Sequence, residues 1–206
     1  MVHFKDHHVF DLSVPIEQVV SSKRRRLAKK AWDELELEFS EEPSRHLDEW
    51  CDLFDEFAAR LGLKGIKALS RSAFEEQFGI PGVTMTLARH AGRLVAARVQ
   101  CYDRDVVHAY LAAASPESYR LNAAAALYYA EIEIFRERAK WINWGGDAGA
   151  RPGHTRLSSF KRGWSTGTRP AYFYGRVTDR QRYVALSAAV DSDTSFFPAY
   201  RSGEFS

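Results

Sequence analysis

A strand-like run at residues 141–144 stops at Gly145, Gly146 and Asp147, and further on the chain reads Leu157-Ser158-Ser159-Phe160-Lys161-Arg162-Gly163-Trp164. A lysine in such a place presents an ammonium. Aimed at charge that develops during a reaction, and shielded from water, such a donor lowers a barrier by ~2–4 kcal/mol. The same lysine can instead lie along the surface with its charge in solvent, so Lys161 stays open between the two. Asp147, in a loop after a strand, can accept a proton or orient an attacking group, or only cap the turn. Gly145 and Gly146 permit positive φ or a close approach of ligand to backbone, and turn geometry accounts for them equally.

A second group is ionic. Residues 21–30 (SSKRRRLAKK) hold six cations and no anion, followed by an acidic stretch at 33–42. Helical spacing puts Arg26, Lys29 and Lys30 on one face. With Arg24 they suit phosphate groups, or form the solvated face of a helix. Arg151, Arg156, Arg162 and Arg169 flank the glycine–lysine stretch. The histidines, His7, His8, His46, His90, His108 and His154 among them, show no ligand spacing such as HExxH, so no metal is expected. There is no Gly-x-Ser-x-Gly elbow, and no motif surrounds Cys51 or Cys101. Direct attack on a bound donor is favoured over covalent catalysis.

The chain that carries these residues has 206 residues, a formal charge of +2 and two cysteines. That length buries a core without disulfide or metal staples, and the near-neutral charge makes no global demand for a polyanion. Two thiols without metal spacing read as free cysteines in a reducing cytoplasm. No apolar run is long enough for a membrane span. Charged residues and histidines through the first 20 positions exclude a signal-peptide core.

Periodicity supplies the elements. Residues 9–15 read as a short strand, 15–33 as a helix opened by Ser13 and Pro15, and 35–39 (LELEF) as a half-buried strand. Leu47, Trp50, Cys51, Phe54, Phe57, Ala58 and Leu61 form one stripe of a helix over 44–61 closed by Gly62. Ser72 and Glu75 have capping-box spacing for a helix over 72–78. The period then changes: 83–90, 94–102 and 106–114 read as a three-strand antiparallel meander with short hairpins. A helical region follows Ser115-Pro116 and includes a long helix over 122–140. After it come a strand at 141–144, a short helix at 157–163, and strands at 171–177 and 183–188. The tail, 196–206, is aromatic and irregular.

A meander, a long helix and a further strand make up the centre of the GNAT fold, an α/β (α+β) domain with a mostly antiparallel mixed sheet. In that fold the splayed sheet leaves a V-shaped slot for an acyl donor. Trp144-Gly145-Gly146-Asp147 followed by Leu157-x-x-Phe160-Lys161 and Trp164 resembles the Fem-type (FemAB-like) aminoacyltransferases and their acetyltransferase relatives. Phe10-Asp11-Leu12-Ser13 with the basic run, and Leu111-Ala112-Ala113-Ala114-Ser115 entering the long helix, support the same likeness over roughly residues 9–178. The resemblance implies that Phe160 and Lys161 sit beside the donor ester, the ammonium near the oxyanion or the leaving ribose oxygen.

It further implies a soluble cytoplasmic acyltransferase that moves an aminoacyl group from tRNA to an amine acceptor, with no tightly bound cofactor. Acyl-CoA is the alternative donor, and a non-catalytic half-domain paired with a Fem-like partner is the alternative role. Two departures from the family stand out. Fem proteins carry two such domains where this length suits one, which implies a homodimer or a partner subunit. Residues 115–122 (SPESYRLN) lack the glycines of the usual pyrophosphate loop. The expected division is a lead-in over 1–20, the GNAT-like domain over 21–190 and the aromatic tail over 191–206.

Overall fold

A computed structural model describes residues 2–64, 68–146, 156–188 and 196–202. Strand β1 (Val2–Asp11) leads into helices α1 (Ile16–Val19) and α2 (Ser22–Glu34), then β2 (Glu36–Ser40), a 3-10 turn at Pro43–His46, α3 (Leu47–Leu61) and α4 (Arg71–Phe78). The meander β3 (Val83–His90), β4 (Arg93–Asp103) and β5 (Val106–Ala114) follows, then α5 (Pro116–Arg120) and α6 (Ala123–Phe135). Strand β6 (Trp141–Gly145), α7 (Arg156–Arg162), β7 (Gly167–Phe173) and α8 (Arg180–Ser187) follow, and a 3-10 turn at Ala199–Arg201 completes the order.

The strands form one mixed sheet in the order β2-β3-β4-β5-β6-β1-β7. All neighbours are antiparallel except β5 and β6. Helix α6 covers one face, where Tyr128, Ile132 and Phe135 meet Phe10, Val107, Ile142 and Trp144. Helices α3 and α4 cover the other face over β3–β5, with Trp50, Phe54, Phe74 and Phe78 against Met85, Leu87 and Val99. Each such side chain contributes about 1.5–3 kcal/mol by leaving water, which is how the sheet is held without staples.

The meander, the strand expected at 141–144 and the α3 stripe (apart from the exposed Leu61) lie where periodicity puts them, while the strand expected at 9–15 is β1 over Val2–Asp11. Elsewhere the boundaries move. The single helix expected over 15–33 is two, because Val20 is extended and Ser21 restarts the helix by accepting from the Arg24 N–H. Ser70, not Ser72, caps α4 through the Ala73 N–H. The long helix stops at Phe135 rather than 140. The strand expected at 171–177 is shifted to Gly167–Phe173, where pairing with β1 sets its limits. The strand expected at 183–188 is instead helix α8, with Asp179 accepting from the Arg182 N–H at its start. Val184 and Leu186 on it are exposed, and none of its residues is buried. No helix among the described residues is long and apolar enough to cross a membrane.

Candidate active site

Strands β5 and β6 run side by side only briefly. Val106 pairs with Trp141, Val107 with Ile142 and His108 with Asn143. Beyond that point β5 continues to Ala114 while β6 ends at Gly145. The two strands therefore part, and the end of β6 stands at the mouth of the opening.

Alternation along β6 decides what faces the core. Ile142 and Trp144 are buried, while Trp141, Asn143 and Gly145 are half-buried. The Trp144 indole donates to the Trp164 carbonyl at 2.8 Å, tying β6 to the turn after α7. Phe160 presents an edge to Tyr128 at 5.1 Å between centroids, which docks α7 on α6. With Phe160 turned inward, the next residue, Lys161, points along the end of β6. Its Nζ donates to the Gly146 carbonyl at 2.6 Å.

The two glycines are required there for different reasons. Gly145 has φ +72°, where a side chain is strained, and a Cβ on it would lie 3.7 Å from the Lys161 Nζ. A Cβ on Gly146 would fall 2.7 Å from Lys5 Cδ and 2.9 Å from the Asp6 carbonyl oxygen. Gly146 therefore lets β1 close in on the end of β6, while Gly145 supplies the left-handed backbone there.

Of the α2 cations, Arg24 reaches this region: a Cβ on Gly163 would run into its guanidinium. Arg24 thus lies across the turn that follows Lys161 and the exposed Arg162. Lys30 is turned to Glu34 at 3.7 Å, and Arg26 is exposed on α2, so the basic run does not gather as one cluster. Asp147 and Arg151 lie outside the described residues.

Three polar residues that no motif indicates also meet at the mouth. Asn143 Nδ2 lies 3.2 Å from His7 Nδ1 and 3.3 Å from His108 Nδ1. Its Oδ1 accepts from the Gly145 N–H at 2.9 Å. Burial, then the charges of Lys5 and Lys161, hold the His7 pKa below its ordinary 6.5, against the Asn143 hydrogen bond, which raises it. The available signal was weak. Each is a polar residue at an alternating strand position, but the register that joins three distant strands cannot be read from spacing. Nearby, the His8 Nε2 and the Ser158 hydroxyl are 3.3 Å apart.

Beneath the site lies a buried ionic cluster. Arg98 Nε donates to Glu131 Oε1 at 2.7 Å, and Gln100 Nε2 donates to the same oxygen at 2.7 Å. The Arg98 guanidinium is 4.0 Å from the Tyr128 ring centroid and 5.2 Å from that of Trp144. Burial pushes Glu131 up, against the pull of Arg98. Cation, carboxylate and two aromatic rings together fix the floor on which β6 and α7 rest. No cluster of three metal-ligating side chains occurs among the described residues.

The model of a family described as acetyltransferase (GNAT) domain matches residues 17–148, more than half of the chain. No curated protein matches it in sequence. Among solved structures the fold is similar to FemX, at 11% identity and a TM-score of 0.63, covering 82% of this chain and 60% of that one. It is similar to L-PGS from Bacillus licheniformis at 15% identity and a TM-score of 0.64, covering 82% of this chain and 58% of that one. An aminoglycoside acetyltransferase from an uncultured soil metagenomic sample matches at 11% identity and a TM-score of 0.53, covering 72% of this chain and 99% of that one. At such identities the likeness is one of fold, and it includes the Fem type that the glycine–lysine stretch resembles. The chain spans about three fifths of the FemX and L-PGS chains.

Proposed function

The chain belongs to the acetyltransferase (GNAT) domain family, and on that premise we propose that it transfers an acyl group to an amine, by preference an aminoacyl group from a charged tRNA. One observation carries the reading. Lys161 is held by the Gly146 carbonyl at the end of β6, where β5 and β6 part.

An acyl group lying in that opening has its carbonyl near a fixed ammonium. The amine nitrogen attacks the carbonyl carbon and forms the C–N bond. Negative charge collects on the carbonyl oxygen, where Lys161 opposes it. The C–O bond to the ribose then breaks, and the proton lost by the amine ends on the leaving oxygen. Lys161 serves this last step by donating to that oxygen and taking the amine's proton in return. Phe160 is a positioning residue, because its packing on Tyr128 orients α7. Arg24, lying over Gly163, supplies a phosphate contact beside the reacting ester. Arg162 follows Lys161 at the exposed end of α7 and serves the same end.

An acyl-CoA donor is the second reading, favoured by the family description itself. In that case a C–S bond breaks and the basic helix α2 is a bystander. A charged-tRNA donor places the protein in the cytoplasm. The part of FemX and L-PGS that this chain does not span is, in this reading, supplied by a second copy or a partner subunit. Light scattering that shows a strict monomer in the active state sinks that last point.

The deciding experiment is a donor screen by thermal shift and mass spectrometry, with acetyl-CoA, longer acyl-CoAs and a pool of charged tRNAs. A donor that binds only the folded state at 100 times its Kd stabilises by about 2.7 kcal/mol. Stabilisation by charged tRNA, and transfer of its amino acid to added amines, is the expected result. Stabilisation by acyl-CoA alone assigns the second reading. If no donor shifts melting or yields an acylated amine, the acyl-transfer reading is wrong.

A further inference from the structure

The Asn143 amide meets two imidazoles and one backbone N–H, and together these contacts determine where its hydrogens are. Its Oδ1 accepts from the Gly145 N–H, because the reversed amide would set two donors against each other. The NH2 group therefore faces His7 Nδ1 and His108 Nδ1. An amide nitrogen donates and does not accept, so both Nδ1 atoms are acceptors. A neutral imidazole that accepts at Nδ1 carries its proton on Nε2. One side chain thus holds two rings, from β1 and β5, in the same tautomer.

The charges around His7 argue in the same direction. Burial, then the charges of Lys5 on its own strand and Lys161 from α7, oppose a positive charge there. Arg169 is its cross-strand neighbour on β7. A ring whose Nδ1 is occupied by a donor, set among cations, is poorly suited to take a proton. It is well suited to give a hydrogen bond while staying neutral.

We propose that His7 is a neutral hydrogen-bond donor to the reacting acyl carbonyl, with Asn143 the positioning residue that fixes its tautomer and His108 the second ring held by the same amide. The proposal rests on the acyl-transfer reading and adds to it a division of labour. Lys161 supplies the charge, and His7 supplies direction without charge, which leaves the incoming amine less opposed by local positive potential. A neutral imidazole keeps its N–H through the whole step, so no proton need move at His7.

The test has two arms. In the first, 15N-resolved spectra of the imidazoles of the wild-type protein at pH 7.5 report the tautomer without any substrate. Both His7 and His108 are expected as Nε2–H. Asn143→Asp replaces the amide donor with an acceptor while keeping an oxygen for the Gly145 N–H, and should move the ring protons to Nδ1. A wild-type His7 found as Nδ1–H or as imidazolium overturns the proposal.

In the second arm, acyl transfer from the donor identified above is followed in wild type, His7→Phe and His7→Gln. Removing the donor with His7→Phe should cost about 10²-fold in kcat, the scale of one lost oxyanion contact. His7→Gln keeps a neutral N–H and should retain most of the activity, and Asn143→Asp should alter the pH profile. If the wild type transfers no acyl group, the acyl-transfer reading fails and this role fails with it. If the wild type is active and His7→Phe equals it, the role of His7 alone is refuted.

Discussion

The ammonium of Lys161 and the carbonyl of Gly146 are 2.6 Å apart and hydrogen-bonded. They bring the short helix α7 to the end of strand β6. Replacing Lys161 with alanine removes that charge from the mouth of the opening, while the packing of Phe160 and Trp164 is untouched. Turnover is expected to fall by 10²–10³, the range for one lost oxyanion donor. Stability should fall by only about 1–3 kcal/mol, for the lost donor to the buried Gly146 carbonyl, with the folded spectrum retained by circular dichroism. An active Lys161→Ala with normal folding would remove Lys161 from the chemistry.

Arg24 and Lys30 separate two meanings of the basic run. Arg24 lies over Gly163 beside the site, whereas Lys30 is paired with Glu34 on an exposed face. With a charged tRNA donor, Arg24→Ala should reduce the slope of log K against log salt by about 1. Lys30→Ala should change it less. Equal slopes for both variants would mean that the α2 surface acts without regard to the site.

The Arg98–Glu131 pair is expected to be costly to break and cheap to replace. Glu131→Gln leaves a buried guanidinium without its counter-charge and should destabilise by about 3–5 kcal/mol in a denaturant titration. The double change Arg98→Met with Glu131→Leu should recover most of that loss, because neither charge then remains buried. A single variant as stable as wild type would show that the pair contributes nothing to the floor of the site.

Gly145 and Gly146 should respond differently to alanine. At Gly145 the strain of φ +72° costs about 1–2 kcal/mol. At Gly146 the added methyl meets the Asp6 carbonyl and Lys5, so β1 must shift away from β6. Gly146→Ala should therefore lower donor binding in the thermal-shift assay as well as stability, while Gly145→Ala lowers chiefly stability. The reverse order would contradict the close approach of β1 to Gly146.

His7 also makes a statement about pH. Its folded pKa is held below the ordinary 6.5, so the unfolded chain binds the proton more readily. Its contribution to stability is fully present above about pH 6.5 and is lost as pH falls through the lower, folded value. Against His7→Gln, which does not titrate there, the wild type should lose ground on acidification from pH 6.5. A constant difference between the two from pH 7.5 to pH 5 would refute the shift.

Much of this molecule was legible in the chain alone. Three runs of strand composition with short connections over 83–114 specified the meander, and the stripe from Leu47 to Leu61 specified α3. The order of meander, long helix and further strand pointed to the GNAT fold, which the family match bears out, and the glycine–lysine stretch pointed to the Fem type, whose fold this chain shares. Helix α8 was misread because its short apolar run carries no period of its own. Its state was decided by the Asp179 cap, with none of its residues buried. The joining of His7, Asn143 and His108, the placement of Arg24 over Gly163, and the burial of Glu131 under Arg98 were decided by tertiary structure alone. Strand register and helix docking set those meetings, and both depend on the summed packing of residues far apart in the chain. Local spacing reports which way a side chain faces, but not which side chain will face it.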